Sequence, residues 1–133
     1  MAKELKTRFE ISADELEHRM KLHQEVTLDP GQKAVRILEA AIDKVLTKLG
    51  VDVTDPETIP AQQEALGIII TENTDERTPQ INGFFIFAQK GKDLIPYAWV
   101  GAARLEHDGR CYCDIQYFMD NRLDETGGIK IIQ

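Results

Sequence analysis

Asp114 stands in an apolar-rich run, Cys111–Met119, together with Tyr112, Gln116 and Phe118. The preceding run, Tyr97–Glu106, supplies Trp99. A carboxylate set among aromatic rings loses hydration, its pKa rises, and it becomes a candidate general base. The competing reading is a rim carboxylate bonded to solvent, Arg104 or Arg110. Trp99, Tyr112, Asp114, Gln116 and Phe118 together have the composition of a ligand pocket or of the centre of an interface.

Other chemistry is weaker in this sequence. His107, Cys111 and Cys113 form H-x3-C-x-C, but zinc sites space paired cysteines more widely and add a second ligand pair, which is missing. His18 and His23 are five apart on a helix and do not share a face, so no metal site is expected. His107 reads as a turn residue, and His23 as a packing histidine. A nucleophilic Cys113 would need a base and a positive neighbour, for which Arg104 is available. A buried cysteine acting as a small hydrophobe is the simpler reading. Thr126-Gly127-Gly128 neither follows a strong strand nor opens a helix, so it is not a phosphate loop. No cofactor is expected.

Composition narrows the classes. The chain has 133 residues, 42% hydrophobic and 29% charged, which fits a single folded domain over 1–133. With 16 basic and 23 acidic residues, the net charge of −7 argues against a phosphate-binding face for nucleic acid. Met1–Glu4 is not followed by an apolar stretch, so no secretory leader is expected. No apolar run approaches the ~20 residues of a membrane span. Cys111 and Cys113 are two apart in one expected strand, a spacing unsuited to a disulfide, so free thiols in the cytoplasm are expected.

These side chains need elements to position them. Leu5–Ile11 alternates apolar or β-branched residues with charged ones and predicts a half-buried strand. Ser12 and Glu15 form a capping box, and Ile11 and Leu16 a hydrophobic staple, so a helix begins there and runs to about Val26. Glu15–Arg19 and Glu17–Lys21 are favourable pairs on its wet side. Asp29-Pro30 opens a second helix as N-cap and first residue, and Gly50 closes it. Its stripe of Val35, Leu38, Ala41, Ile42, Val45, Leu46 and Leu49 makes it the principal core helix, with Glu39 on the wet face. Pro60–Leu66 predicts a short third helix closed by Gly67. Strands follow at Ile68–Thr71 and Gly83–Gln89, then the hairpin pair, with Ile129–Ile132 as a short closing strand. Glu72–Asn82 and Asn121–Gly128 read as polar loops.

Asp108-Gly109 between apolar runs predicts a type I′ hairpin turn with His107 opposite Arg110. That register places Trp99, Gly101, Ala103 and Leu105 beside Phe118, Gln116, Asp114 and Tyr112 on one face. Phe84, Ile86 and Tyr97 are expected to extend it. Ala98, Val100, Ala102 and Arg104 lie with Tyr117, Ile115, Cys113 and Cys111 on the other, which the core helix covers. A G1 bulge would shift the pairing and swap the faces.

The fold class expected is α+β in two layers: an antiparallel meander of four to six strands with two or three N-terminal helices packed on one face. Such an arrangement resembles cone-shaped, cystatin-like ligand-binding folds, an architectural likeness that specifies no function. The leading functional expectation is a small cytoplasmic interaction domain that forms a homodimer through the aromatic sheet face. One alternative is a small enzyme or binding protein holding an apolar small molecule between sheet and helices, using Asp114. Another is an acidic inhibitor of a basic protein partner. No nucleic acid and no membrane is expected as a partner.

Overall fold

The computed structural model describes residues 5–24, 30–75, 78–123 and 129–131. Three helices pack on an antiparallel sheet, and the fold is α+β. In chain order these are β1 (Leu5–Ile11), α1 (Ala13–Leu22), α2 (Pro30–Lys48), a 3-10 turn (Pro56–Thr58), α3 (Ile59–Leu66), β2 (Ile68–Asp75), β3 (Thr78–Lys90), β4 (Asp93–Leu105), β5 (Cys111–Tyr117), β6 (Met119–Leu123) and β7 (Ile129–Ile131). The main sheet runs β1-β5-β4-β3-β2, and β6 and β7 pair separately. The meander β2 to β5 is joined at its last strand by β1, the first element of the chain. No described helix is long and apolar enough to cross a membrane.

The helix ends obey local chemistry. The Ser12 hydroxyl accepts the Glu15 amide at 3.1 Å, and the staple residues Ile11 and Leu16 are both buried. At the other end of α2, Gly50 takes a positive φ of 96°. Its N–H donates to Thr47 C=O and the Val51 N–H donates to Leu46 C=O. These are the two bonds of a Schellman motif, and Leu46 and Val51 bury together as its hydrophobic contact. The proposed N-cap Asp29 lies outside the described residues, as do 25–29 generally.

The core lies between α2 and one sheet face. Leu38, Ala41, Val45 and Leu46 of the expected stripe are buried, and so are Ile37 and Ala40. Opposite them lie Ile86, Ala98, Val100, Cys111, Cys113 and Ile115. Small Ala98 lets the helix approach, as its position in the hairpin suggested. The expected polar loop at Glu72–Asn82 is mostly strand, because β2 and β3 continue pairing through two register shifts at Asn73–Asp75. Strand pairing uses backbone groups, so polar side chains do not end it. Likewise β6 occupies the start of the expected loop at Asn121–Gly128, and 124–128 lie outside the described residues.

Candidate functional site

The hairpin that carries the aromatic face is not closed by a type I′ turn. The Gly109 N–H donates to Glu106 C=O at 3.0 Å and the Glu106 N–H to Arg110 C=O at 2.9 Å. Gly109 has φ 90°, while Asp108 keeps negative φ. This is a three-residue loop with a G1 bulge. Asp108 reinforces it by accepting from the Arg110 backbone N–H and Nε. Alone, that bulge would move every side chain of β4 to the opposite face. A second irregularity between Gly101 and Arg104, where Ala102 sits at φ 57°, moves them back. The body of the hairpin therefore pairs Trp99 with Gln116, Val100 with Ile115 and Gly101 with Asp114. The register differs from the expected one by two residues, and parity survives.

The residues between the two bulges change faces: Ala103 packs against the core cluster, Leu105 pairs with Cys111 of the core face, and in exchange the outer face gains Arg104. Arg104 pairs with Tyr112 and not with Cys113, and it belongs to the face away from α2. There its Nη2 donates to Asp114 at 2.8 Å. The Tyr112 ring lies between two guanidinium groups, Arg104 at 4.6 Å and Arg8 of β1 at 4.5 Å. The Tyr112 hydroxyl donates to Glu106, which holds the phenol protonated above its ordinary range. Asp114 is thus ion-paired at the foot of a cation–aromatic–cation stack.

The rest of this outer face is apolar. A further irregularity at Ile86/Phe87 leaves Tyr97 as the extra residue, so that Phe87 pairs with Pro96 and Phe85 with Trp99. Tyr97, Ile86 and Phe84, expected on the outer face, instead turn to the core. Tyr97 and Ile86 are fully buried, and Tyr97 meets Tyr117 edge-on with centroids 5.9 Å apart. Phe85 and Phe87 take their place outside, half-buried, with centroids 6.2 Å apart. Across β2 the row continues to Ile69, 46% exposed, and at the end of β4 to Leu94, 45% exposed. Phe118 lies just past β5, donates its N–H to Tyr97 C=O at 2.7 Å, and packs against the core cluster. It is not the cross-strand partner of Trp99.

Gly83 and Gly101 are paired across β3 and β4. The Trp99 indole lies over both. A methyl at Gly101 would collide with its six-membered ring, and one at Gly83 would meet the Val100 carbonyl and the indole nitrogen. The small residues thus form a floor that the protein's own tryptophan occupies, and the result is a flat aromatic platform.

The remaining candidates separate in space. Cys111 and Cys113 are buried, unlinked and face the core. Burial pushes the Cys113 thiol up to about 12, so it stays protonated and non-nucleophilic. His107 is exposed at the hairpin loop, away from the core face of the cysteines. No group of three His, Cys, Asp or Glu side chains arranged for a metal occurs among the described residues.

A second cluster, unforeseen in the sequence, lines a cleft of about 710 Å³ between α1, α2 and the 53–59 segment. Arg19 reaches Asp43 at 2.9 Å and Glu39 at 3.1 Å, besides the expected Glu15 at 3.4 Å. Glu39 also accepts from Arg36 and from His23 Nε2 at 3.0 Å. Glu39 is therefore the hub of an α1–α2 seam and not a wet-face residue. Burial raises Asp43 above the usual carboxylate range, with Arg19 opposing. Every carboxylate of this cluster has a cationic partner within the fold, which suits a structural seam.

No family model, curated protein or solved structure matches the chain, so its function must be read from the exposed sheet face and the seams around it.

Proposed function

We propose that the protein works by association, as a homodimer built on the outer face of the sheet. The carrying observation is the apolar corner formed by Ile69, Phe85, Phe87, Leu94 and Trp99, on the side of the sheet opposite α2. Contiguous apolar surface of this kind on a sheet face is a feature of interaction sites. The flat platform of Trp99 over two glycines favours face-to-face packing with a second flat surface over enclosure of a small molecule. The Arg8–Tyr112–Arg104–Asp114 corner beside it provides the polar rim that surrounds an interface core. The charge pair at Asp114 supports a positioning role in that rim over general-base chemistry. The buried, unlinked thiols fit a reducing compartment such as the cytoplasm.

Light scattering over a concentration series tests this reading. The wild type is expected to approach twice the chain mass, and Phe85→Asp to give the monomer with unchanged circular dichroism. A charge placed in an interface core is strongly unfavourable. A wild type that remains monomeric at the highest concentration removes the dimer. An apolar ligand that then protects Trp99 from quenching would favour the binding-protein reading.

A further inference from the structure

The net charge of −7 has one address. Between Lys48 and Arg77 there are seven acidic residues and no lysine or arginine, while the other 16 acidic residues are balanced by 16 basic ones. The fold gathers this stretch into the 3-10 turn, α3 and β2, and β2 is the last strand of the sheet. Asp55, Glu57, Glu64 and Glu72 are all exposed there.

The two sheet edges are defended differently. On β1 the exposed positions include Arg8 and Glu10, and charges on an edge discourage strand pairing. On β2 the segment Ile68-Ile69-Ile70-Thr71 has no charge and four β-branched residues, which favour a strand. Its backbone groups that have no bond among the described residues can be assigned. The Gln89 N–H donates to Gly67 C=O at 3.1 Å, so the alternation of an antiparallel ladder turns Ile69 and Thr71 toward β3. The N–H and C=O of Ile68, Ile70 and Glu72 then face outward. A groove of about 400 Å³ runs alongside, between α3 and the start of β2, lined by Pro60, Gln63, Glu64, Ile68 and Gln89 among others.

We infer that the β2 edge receives an extended basic segment of another protein as an added antiparallel strand. Its lysine or arginine residues lie on the strand face of Ile68, Ile70 and Glu72, within reach of Glu64 and Glu72. β-Branched residues alternate with them beside Ile69 and Thr71. Main-chain bonds give the affinity and the alternating side chains the selectivity. A second copy is the poorer occupant, because β2 against β2 would bring two acidic stretches together. This site adjoins the aromatic face at Ile69, but it rests on the backbone edge of β2 and not on the rings of that face.

The test is fluorescence anisotropy of the full chain with a labelled ten-residue peptide of alternating lysine and valine. Binding is expected, weakening at least tenfold between 50 and 300 mM salt. The order of magnitude follows from screening of a multiply charged contact. N-methylation of the lysine amides, which face the edge in this register, should abolish binding, whereas methylation of the valine amides should leave it within about twofold. Ile70→Pro should abolish binding by removing an outward N–H at a place where an edge strand tolerates proline. Glu64→Gln with Glu72→Gln should weaken it severalfold without touching the backbone. Equal binding of both methylated peptides, equal binding of a glutamate–valine peptide, or no binding at millimolar peptide would each overturn the inference. So would a dimer that Ile70→Pro dissociates and Phe85→Asp does not, since a second copy would then hold the edge.

Discussion

α2 is held on two sides by opposite means. Toward the sheet it meets a dry layer: Leu38, Ala41 and Val45 against Val100, Cys113 and Ile115, all essentially inaccessible to water. Toward α1 it meets charge: Arg36, Glu39 and Asp43 against Arg19 and His23. The first seam depends on volume and tolerates no cavity; the second depends on charge balance and geometry at partial exposure. The sheet and α2 therefore form the stable unit, while α1 is attached by Leu16, Met20 and an ion network that salt can weaken. The α1 seam is expected to open locally before the α2–sheet core.

Leu38→Ala should produce the largest effect. Removing a fully buried leucine at the α2–sheet seam is expected to cost about 2–5 kcal/mol by leaving a cavity. A urea titration should show the whole molecule unfolding earlier, at any salt concentration. Arg19→Met keeps the aliphatic stem and removes the charge that three carboxylates share. We expect a loss of about 2 kcal/mol, reduced from the cost of breaking a fully buried pair because Glu39 and Asp43 retain some water. Hydrogen exchange should then rise in α1 and stay slow in β4 and β5. Equal acceleration in both would mean that the two seams are one cooperative unit.

Ser12→Ala should cost roughly 1 kcal/mol through the lost cap. It should add to Leu38→Ala without coupling if the seams are independent, which a double-mutant cycle in thermal or urea melts can check. Asp43→Asn is expected to have the smallest effect near neutrality, because burial already disfavours the charge. The sign follows from the raised value. As pH falls through it, the native state takes up the proton before the unfolded chain does, so this group's stabilising contribution is present in acid and lost as pH rises. Wild-type stability minus that of Asp43→Asn should therefore grow on acidification toward the ordinary aspartate value. A difference that grows toward neutral pH would show that the bond to Arg19 dominates.

The legible parts of the fold are those governed by neighbours in sequence. The Ser12 cap, the Ile11–Leu16 staple and the Gly50 cap act over a few residues and form as their types suggest, while the Glu15 carboxylate bonds Arg19. The alternation of Cys111–Tyr117 also shows directly which of its residues face the core. What could not be read is where strands slip. Asp-Gly serves a type I′ turn and a G1-bulged loop equally well. The irregularities at Tyr97 and at Ala102 fall on residues that carry no turn signature. The first of these exchanged Phe84 and Ile86 for Phe85 and Phe87 on the outer face. Glu39 departs from the expected wet face for a different reason: a helical wheel of α2 does not contain Arg19, twenty residues earlier, returning across it. The candidate set itself was partly legible. Trp99, Tyr112, Asp114 and Gln116 share the outer face, while Phe118, beyond the end of β5, leaves it for the core.

The placement of Trp99 over Gly83 and Gly101 has an optical consequence. It is the chain's only tryptophan, and it lies on the side of the sheet that neither α1 nor α2 touches. Its emission maximum thus reads the polarity of one surface and nothing else in the folded state. A neighbour arriving on that surface would shift the emission to the blue. Detachment of α1 would leave the spectrum unchanged while far-ultraviolet dichroism fell. Two cheap spectra can therefore separate association from partial unfolding in the same cuvette, with no label attached.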